Sequence, residues 1–251
     1  MIKLENTEVI GWEHAIRGMR NPKNSWDRSD SGYCENINVQ FDNTISNTTW
    51  ATGPNDHKLM MQLAAGGPVH AKYRRMITVY VDITAPLYWW KEFDTYKVGT
   101  VANSCSTMHK IHDKEFTLED FSCEHLFRED DGGVPDHEEQ ISMIVLKTVI
   151  KSLNYAREAY LDIGDMLKTV PINEPERRKR LIDSQKKAWW QMIQLLPSSY
   201  NQKRTVMLNY EVLAGIYPMR KNHKLDEWRV FCEWIESLPY SEIIIGKEKE
   251  K

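Results

Sequence analysis

At 251 residues, 41% hydrophobic and 27% charged, the chain can bury a substantial core as one large domain or two small ones. A formal net charge of −3 excludes a strongly basic chain built around nucleic acid, so no nucleic-acid partner is expected. No apolar run approaches bilayer-spanning length, and Met1-Ile2-Lys3-Leu4-Glu5-Asn6 lacks the apolar core of a signal peptide. The expectation is therefore a cytoplasmic protein with no membrane partner.

Four cysteines, Cys34, Cys105, Cys123 and Cys232, stand far apart without a C-x-x-C pair. Neither a zinc knuckle nor a disulfide framework is suggested, and no metal is expected.

In chain order, residues 1–20 read as a strand or strand–helix opening through Val9-Ile10-Gly11-Trp12. Asn21 to Pro54 is rich in Asn, Ser, Asp and Gly and predicts a long loop. Asp56 to Ala65 predicts a short helix, with Asp56 as cap and Gly66-Gly67 as stop. Met76 to Ile83 alternates β-branched and polar residues and predicts a strand ended by Ala85-Pro86. Leu87 to Phe93 is aromatic and helical in character.

Thr95 to His109 then crowds small hydroxyl residues around Lys97, Gly99 and Asn103, with no periodicity of its own. Such a stretch offers many donors and acceptors and predicts either a ligand loop or a plain surface loop. Residues 110–136 read as loop, with Asp130-Asp131-Gly132-Gly133 at their far end. Four helices are predicted after them: Gln140–Leu161, Glu174–Leu196, Ser199–Tyr217 and Leu225–Leu238, punctuated by Pro171, Pro197, Pro218 and Pro239. The tail from Gly246 is a solvated end. The predicted class is α+β in a single domain, 1–251, with N-terminal strands and a ligand loop followed by a C-terminal helical half.

The helical half carries Leu196-Pro197, then Asn209, then Met219-Arg220, then Leu225-Asp226-Glu227-Trp228. This resembles the flavin-dependent thymidylate synthases, in which a Leu-Pro leads into a long helix with an inward Asn, then Leu-Arg, then Ala-Gln-Trp-Glu. The spacings from Pro197 to Asn209 and to Arg220 agree without a gap, and Trp228 needs one inserted residue. In the first half, Gly67-Pro68-Val69-His70 and Ala85-Pro86 flank the predicted strand as Pro-x-Glu-His and Ala-Pro do in that family. Thr95 to Thr100 sits where the signature Arg-His-Arg-x-x-Ser belongs. Asn103 to Met108 sits where Asn-Glu-x-Ser-x-Arg belongs, after one inserted residue. The resemblance covers about residues 60–109 and 180–235.

That resemblance implies reductive methylation of dUMP to dTMP with FAD, NADPH and methylenetetrahydrofolate, in a homotetramer whose sites are shared between subunits. It implies Ser106 as the catalytic, nucleotide-site serine. It implies His70, Tyr96, Lys97, Asn209, Arg220 and His223 toward the cofactor, and Asn103, Ser104, Cys105, Ser106 and Arg220 toward the pyrimidine deoxynucleotide. The substitutions are chemical ones: Thr95-Tyr96-Lys97 replaces Arg-His-Arg, while Met108 and Ile193 stand where the family has phosphate-binding arginines. Lys does not replace Arg where a bidentate contact is needed.

The residues taken alone leave other roles open. Ser106 could be an ordinary loop serine, Asn209 a helix–helix contact, Arg220 a complement to a helix C-terminus, and His223 a solvated side chain. Trp189-Trp190 suits a core or an interface. Two further functions stay open as well: a non-catalytic binding or assembly protein on the same fold, and an enzyme acting on a different pyrimidine nucleotide.

Overall fold

The computed structural model describes residues 2–40, 43–127 and 141–246. The strands are β1 (Lys3–Ile10), β2 (Gly32–Gln40), β3 (Asn43–Ala51), β4 (Thr78–Pro86), β5 (Val101–Ser104) and β6 (Asn201–Asn209). The helices are α1 (Trp12–Arg20), α2 (Pro54–Ala65), α3 (Leu87–Phe93), α4 (Ile141–Thr169), α5 (Pro175–Leu195), α6 (Tyr210–Arg220), α7 (Asp226–Ser237) and α8 (Glu242–Ile245). A four-stranded sheet has the order β1-β4-β6-β5, and β2 and β3 form an antiparallel pair. The mixed class agrees with the expectation of α+β.

Packing divides the chain into two compact units. One comprises Ile2–Ile83, Asp94–Asn103 and Thr205–Lys251. Its core is apolar side chains on strand alternation and helix spacing: Val79 and Val81 of β4, Val206 and Leu208 of β6, Leu213 and Ile216 of α6, and Trp228, Phe231 and Ile235 of α7, all buried. Gly11 opens α1 at φ +95°, and a Cβ there would stand 2.1 Å from the carbonyl oxygen of Met76, so only glycine fits. Trp12 follows and packs edge-on against Tyr210, ring centroids 5.4 Å apart.

The other unit comprises Thr84–Phe93 and Ser104–Arg204. The pair α4 and α5 closes over a buried cluster of Ile111, Phe116, Phe121, Met143, Leu146, Leu153 and Met192. Asn154 of α4 holds the preceding loop, accepting from the Phe116 N–H and donating to its carbonyl, both at 2.8 Å.

Four expectations about local structure need correction. Asn21–Pro54 is not a loop throughout: it contains the β2–β3 pair, with Gly32 opposite Ala51 and Gln40 opposite Asn43. Thr44, Ile45, Thr48 and Thr49 supply the β-branched content that favours a strand. Second, Ser199–Tyr217 is not one helix. Its first part is β6, with Gln202, Val206 and Leu208 buried in strand alternation, and only Tyr210 onward is helical. The helical half is thus interrupted by a strand, and Pro218 lies inside α6 instead of ending it. Third, β5 gives the Thr95–His109 stretch regular structure of its own. The readings of Asp130-Asp131-Gly132-Gly133, Gln140 and the tail beyond Gly246 fall outside the described residues.

Asp56 is not the cap of α2 either. Asp30 takes that role from outside the helix, accepting from the Asn55 and Asp56 N–H groups at 2.9 and 3.1 Å. Asp56 is fully buried and accepts from Arg20 Nε at 2.5 Å, Ser29 Oγ at 2.7 Å and Ser31 Oγ at 2.6 Å. The N–H groups of Asp30 and Ser31 also donate to it. Burial pushes its carboxyl up, while the donors from Ser31, Ser29, Arg20 and Asp30 together outweigh that and leave it below the ordinary value.

Candidate functional site

The candidate site centres on Arg220, the last residue of α6. Its Nε donates to the Tyr96 hydroxyl at 2.8 Å, and its guanidinium carbon stands 4.5 Å from the centroid of the Trp228 ring. Trp228 is fully buried in the first turn of α7, so the cation rests on a fixed aromatic face. Tyr96 meets the same indole edge-on, with centroids 6.0 Å apart. Arg220 is therefore held from two sides, and its planar group has one orientation.

His223 completes the cluster. The Leu225 N–H lies 3.2 Å from His223 Nδ1, on the side of the ring away from Nε2. Arg220 Nη1 lies 3.0 Å from that Nε2. Arginine can only donate, so this contact ties the His223 ring to the guanidinium when Nε2 accepts. The turn between α6 and α7 that carries His223 is fixed by Arg229, which donates to the His223 carbonyl at 3.0 Å and pairs with Asp226.

The loop 94–103 follows α6 against its chain direction. Tyr96 touches Arg220 at the C-terminal end of the helix, whereas Gly99 touches Asn209 and Val212 at the N-terminal end. Gly99 has φ +76°, and a Cβ there would stand 2.9 Å from Asn209 Nδ2, so glycine is required for this close approach. Asn209 is not the inward side chain of a long helix. It caps α6, accepting from the Val212 N–H at 3.0 Å. Eleven residues separate it from Arg220, about 16 Å along a helix at 1.5 Å per residue.

Of the residues named from sequence, the structure gathers Tyr96, Arg220 and His223 into one cluster and places Asn209 against the same loop. Lys97 is exposed on that loop, one residue from Tyr96, and Asn103 is exposed in β5. His70 is exposed at the start of the 3-10 turn Ala71–Met76, its backbone N–H bonded to the Gly67 carbonyl at 3.0 Å. Sequence reading missed the supporting role of Trp228 as the surface beneath Arg220. The signal was present, since Trp228 was already matched to the family's Ala-Gln-Trp-Glu.

Ser104, Cys105 and Ser106 belong to the unit that contains α4 and α5, and all three are exposed. The Cys105 N–H donates to the Lys203 carbonyl at 2.9 Å, and the Cys105 carbonyl accepts from Gln202 Nε2 at 2.8 Å. Ser106 Oγ accepts from the N–H groups of His109 and Met108 at 2.8 and 3.2 Å, closing a local turn and leaving its own proton to donate. Met108 is about half exposed and its carbonyl accepts from Trp189 Nε1 at 2.9 Å. Ile193, in the place of the second family arginine, packs against the Ile111–Phe116–Phe121 cluster.

The donor set around Arg220 suits an anionic, planar group. A guanidinium, a phenol and the nearby Lys97 ammonium can meet phosphate oxygens or ring carbonyls, and the buried Thr100 hydroxyl next to Gly99 has no hydrogen-bond partner. These residues fit a flavin or a nucleotide in chemistry.

No protein-family model matches the chain, and no curated protein matches it in sequence. Solved structures do match in shape. Thymidylate synthase X from Helicobacter pylori, crystallised with FAD and dUMP, superposes with a TM-score of 0.59 at 12% identity, covering 98% of each chain. A second structure of that flavin-dependent enzyme with FAD and dUMP gives a TM-score of 0.57 at 12% identity, again over 98% of each chain. The UMP/dUMP methylase PolB from Streptomyces cacaoi, bound to 5-bromo-dUMP, gives 0.53 at 14% identity, over 97% of this chain and 93% of that one. The protein has the fold of the flavin-dependent thymidylate synthases.

Proposed function

We propose that the protein is a divergent flavin-dependent thymidylate synthase-like enzyme that binds FAD and a pyrimidine deoxynucleotide. The observation that carries this reading is the Arg220 cluster. A guanidinium resting on a buried indole, bonded to a phenol and flanked by an imidazole, forms where the resemblance places the cofactor residues. In this reading Tyr96, Lys97, Arg220 and His223 hold the flavin, Asn209 fixes the helix that carries Arg220, and His70 lies toward the cofactor. Asn103 and Arg220 in one unit, and Ser104, Cys105 and Ser106 in the other, are the residues that the resemblance implies for the nucleotide. Bound FAD supplies hydride relay from NADPH during methylation with methylenetetrahydrofolate. The chain's own groups bind and orient: Arg220 as a planar donor, Ser106 by the hydroxyl proton that its local turn leaves available.

Two positions weaken the nucleotide half of the site. Ile193 is a packing residue and Met108 an apolar one, so neither meets a phosphate. Losing two charge-assisted contacts of about 1.5–3 kcal/mol each raises the dissociation constant for dUMP by roughly two to four powers of ten. Thymidylate synthesis from dUMP is therefore expected to be weak. Tritium release from C5-labelled dUMP, with FAD, NADPH and methylenetetrahydrofolate present, tests this. Turnover that disappears in Ser106→Ala supports the enzyme, while silence with dUMP and activity on another pyrimidine nucleotide favours an altered substrate. Silence on every pyrimidine nucleotide, with FAD still bound, favours the non-catalytic binding protein.

The proposed assembly is a homotetramer. Ile144, Val145 and Tyr155 of α4 and Trp190 of α5 are exposed apolar residues of the kind subunit contacts cover. Light scattering should give a tetramer at micromolar concentration, and a clean monomer would contradict a pocket shared between subunits.

A further inference from the structure

A second polar cavity opens within the unit that holds α1 and α2, lined by none of the residues described above around Arg220. It has a volume of about 680 Å³, within the range of small-ligand sites. Its walls come from the end of α1, the turn 21–28 and one side of α2 from Asn55 to Gln62. The floor is fixed by Arg20, 4% exposed, which bonds Asp56 through Nε and the Ser25 carbonyl through Nη1 at 3.0 Å. The rim carries two cations, Lys23 and Arg28, against one carboxylate, Asp27. Among the described residues neither Lys23 nor Arg28 meets a carboxylate within salt-bridge distance.

The segment between them is fixed by a turn. Asn24 has φ +44°, in the left-handed region, with its N–H donating to the Asn21 carbonyl at 3.2 Å. It closes the 3-10 turn Asn21–Lys23 as its C-cap, a place where Asn readily takes this conformation. It turns the backbone so that Lys23, Asn24 and Arg28 all line the same cavity. The remaining wall offers amide groups from Asn55 and Gln62 beside the single apolar side chain of Leu59.

We propose that this cavity binds a small phosphorylated molecule, its phosphate met by Lys23 and Arg28 and its organic part by Asn24, Asn55, Gln62 and Leu59. Two unpaired cations over a polar floor select an anion, and phosphate oxygens suit both a point charge and a planar guanidinium. The volume exceeds what a phosphate ion fills, so the ligand carries an organic group.

Calorimetry on the purified full-length protein at low salt tests this, with adenosine monophosphate and inorganic phosphate as probes. Adenosine monophosphate should bind more tightly than inorganic phosphate. Lys23→Gln/Arg28→Gln should weaken it by about tenfold or more, the loss of at least one charge-assisted contact. Asp27→Asn should tighten it several-fold. Lys179→Gln/Lys187→Gln, which makes the same net-charge change on exposed positions of α5, should leave it unchanged. Lys97→Ala/Arg220→Ala should also leave it unchanged, so its failure and that of the flavin reading are distinguishable. Equal affinity for both probes, no binding at millimolar concentration, equal weakening by the α5 variant, or loss only in Lys97→Ala/Arg220→Ala would each overturn the assignment.

Discussion

Removing the carboxylate of Asp56 should be strongly destabilising. Asp56→Ala takes away five acceptor contacts at once: Arg20 Nε, the Ser29 and Ser31 hydroxyls, and the N–H groups of Asp30 and Ser31. Arg20 is 4% exposed and keeps only its bonds to Ser25, so a charge stays buried without its counter-ion. Breaking one partner of a buried ion pair costs about 3–5 kcal/mol. At roughly 2–4 °C per kcal/mol for a chain of this size, the midpoint should fall by about 6–20 °C. Thermal and urea unfolding followed by tryptophan fluorescence and circular dichroism measures this. Asp56→Asn keeps the shape and part of the bonding and should fall between wild type and Asp56→Ala.

The pH dependence has a definite sign. The folded-state carboxyl lies below its ordinary value of 3.8, so its contribution is fully present above about pH 4 and is lost as pH falls through the folded value. The gap between wild type and Asp56→Asn should therefore be constant from pH 5 to 8 and narrow only in acid. A loss under about 1 kcal/mol in Asp56→Ala would refute the view that this carboxylate organises the end of α1 and the start of α2.

Other substitutions test the site's scaffold. Asn209→Ala should cost about 1 kcal/mol by uncapping α6, while Asn209→Asp should be nearly neutral, read by the same unfolding assays. Gly99→Ala should cost about 1 kcal/mol or more, because a side chain at φ +76° meets Asn209. Burial and the neighbouring Glu236 carboxylate push the Cys232 thiol up to about 11. Iodoacetamide at pH 8 should therefore modify the exposed Cys34 and Cys105 in the native protein and spare Cys232 until the chain is unfolded.

Much of the fold was legible in the sequence where one period ruled a segment. Ile77, Val79, Val81 and Ile83 alternate and are all fully buried or nearly so, as a half-covered strand requires. The spacing of Trp228, Phe231, Cys232 and Ile235 likewise marks the buried face of α7. The reading failed where two periods meet within one run. From Gln202 to Leu208 buried residues follow a two-residue repeat, and from Tyr210 to Ile216 they follow helical spacing, with Asn209 as the joint. A single helix over Ser199–Tyr217 puts Asn209 in its interior as a helix–helix contact, whereas the strand before it puts Asn209 at the helix start. Its capping bond is the ordinary reason for Asn at a helix start.

The Arg220 site was legible as a set of residues but not as a contact. The resemblance to the flavin-dependent thymidylate synthases implies Tyr96, Arg220 and His223 as one set, yet 124 positions separate Tyr96 from Arg220 and nothing local pairs them. The pairing follows from the loop running back along α6, which glycine at position 99 permits. The Asp56 centre was missed for a similar reason. Arg20, Ser29, Ser31 and Asp56 are ordinary loop and helix residues until the fold gathers them.

The central claim is that Arg220 on Trp228 forms a flavin site, and FAD binding by the purified protein tests it most directly. Absorbance and flavin fluorescence should show saturable binding at micromolar FAD in the wild type. Arg220→Ala should weaken it by about tenfold or more, Arg220→Lys should recover little because a point charge does not replace the planar donor, and Lys97→Ala should weaken it less than Arg220→Ala. No FAD binding by folded wild-type protein well above micromolar concentration, or unchanged binding by Arg220→Ala, would contradict it.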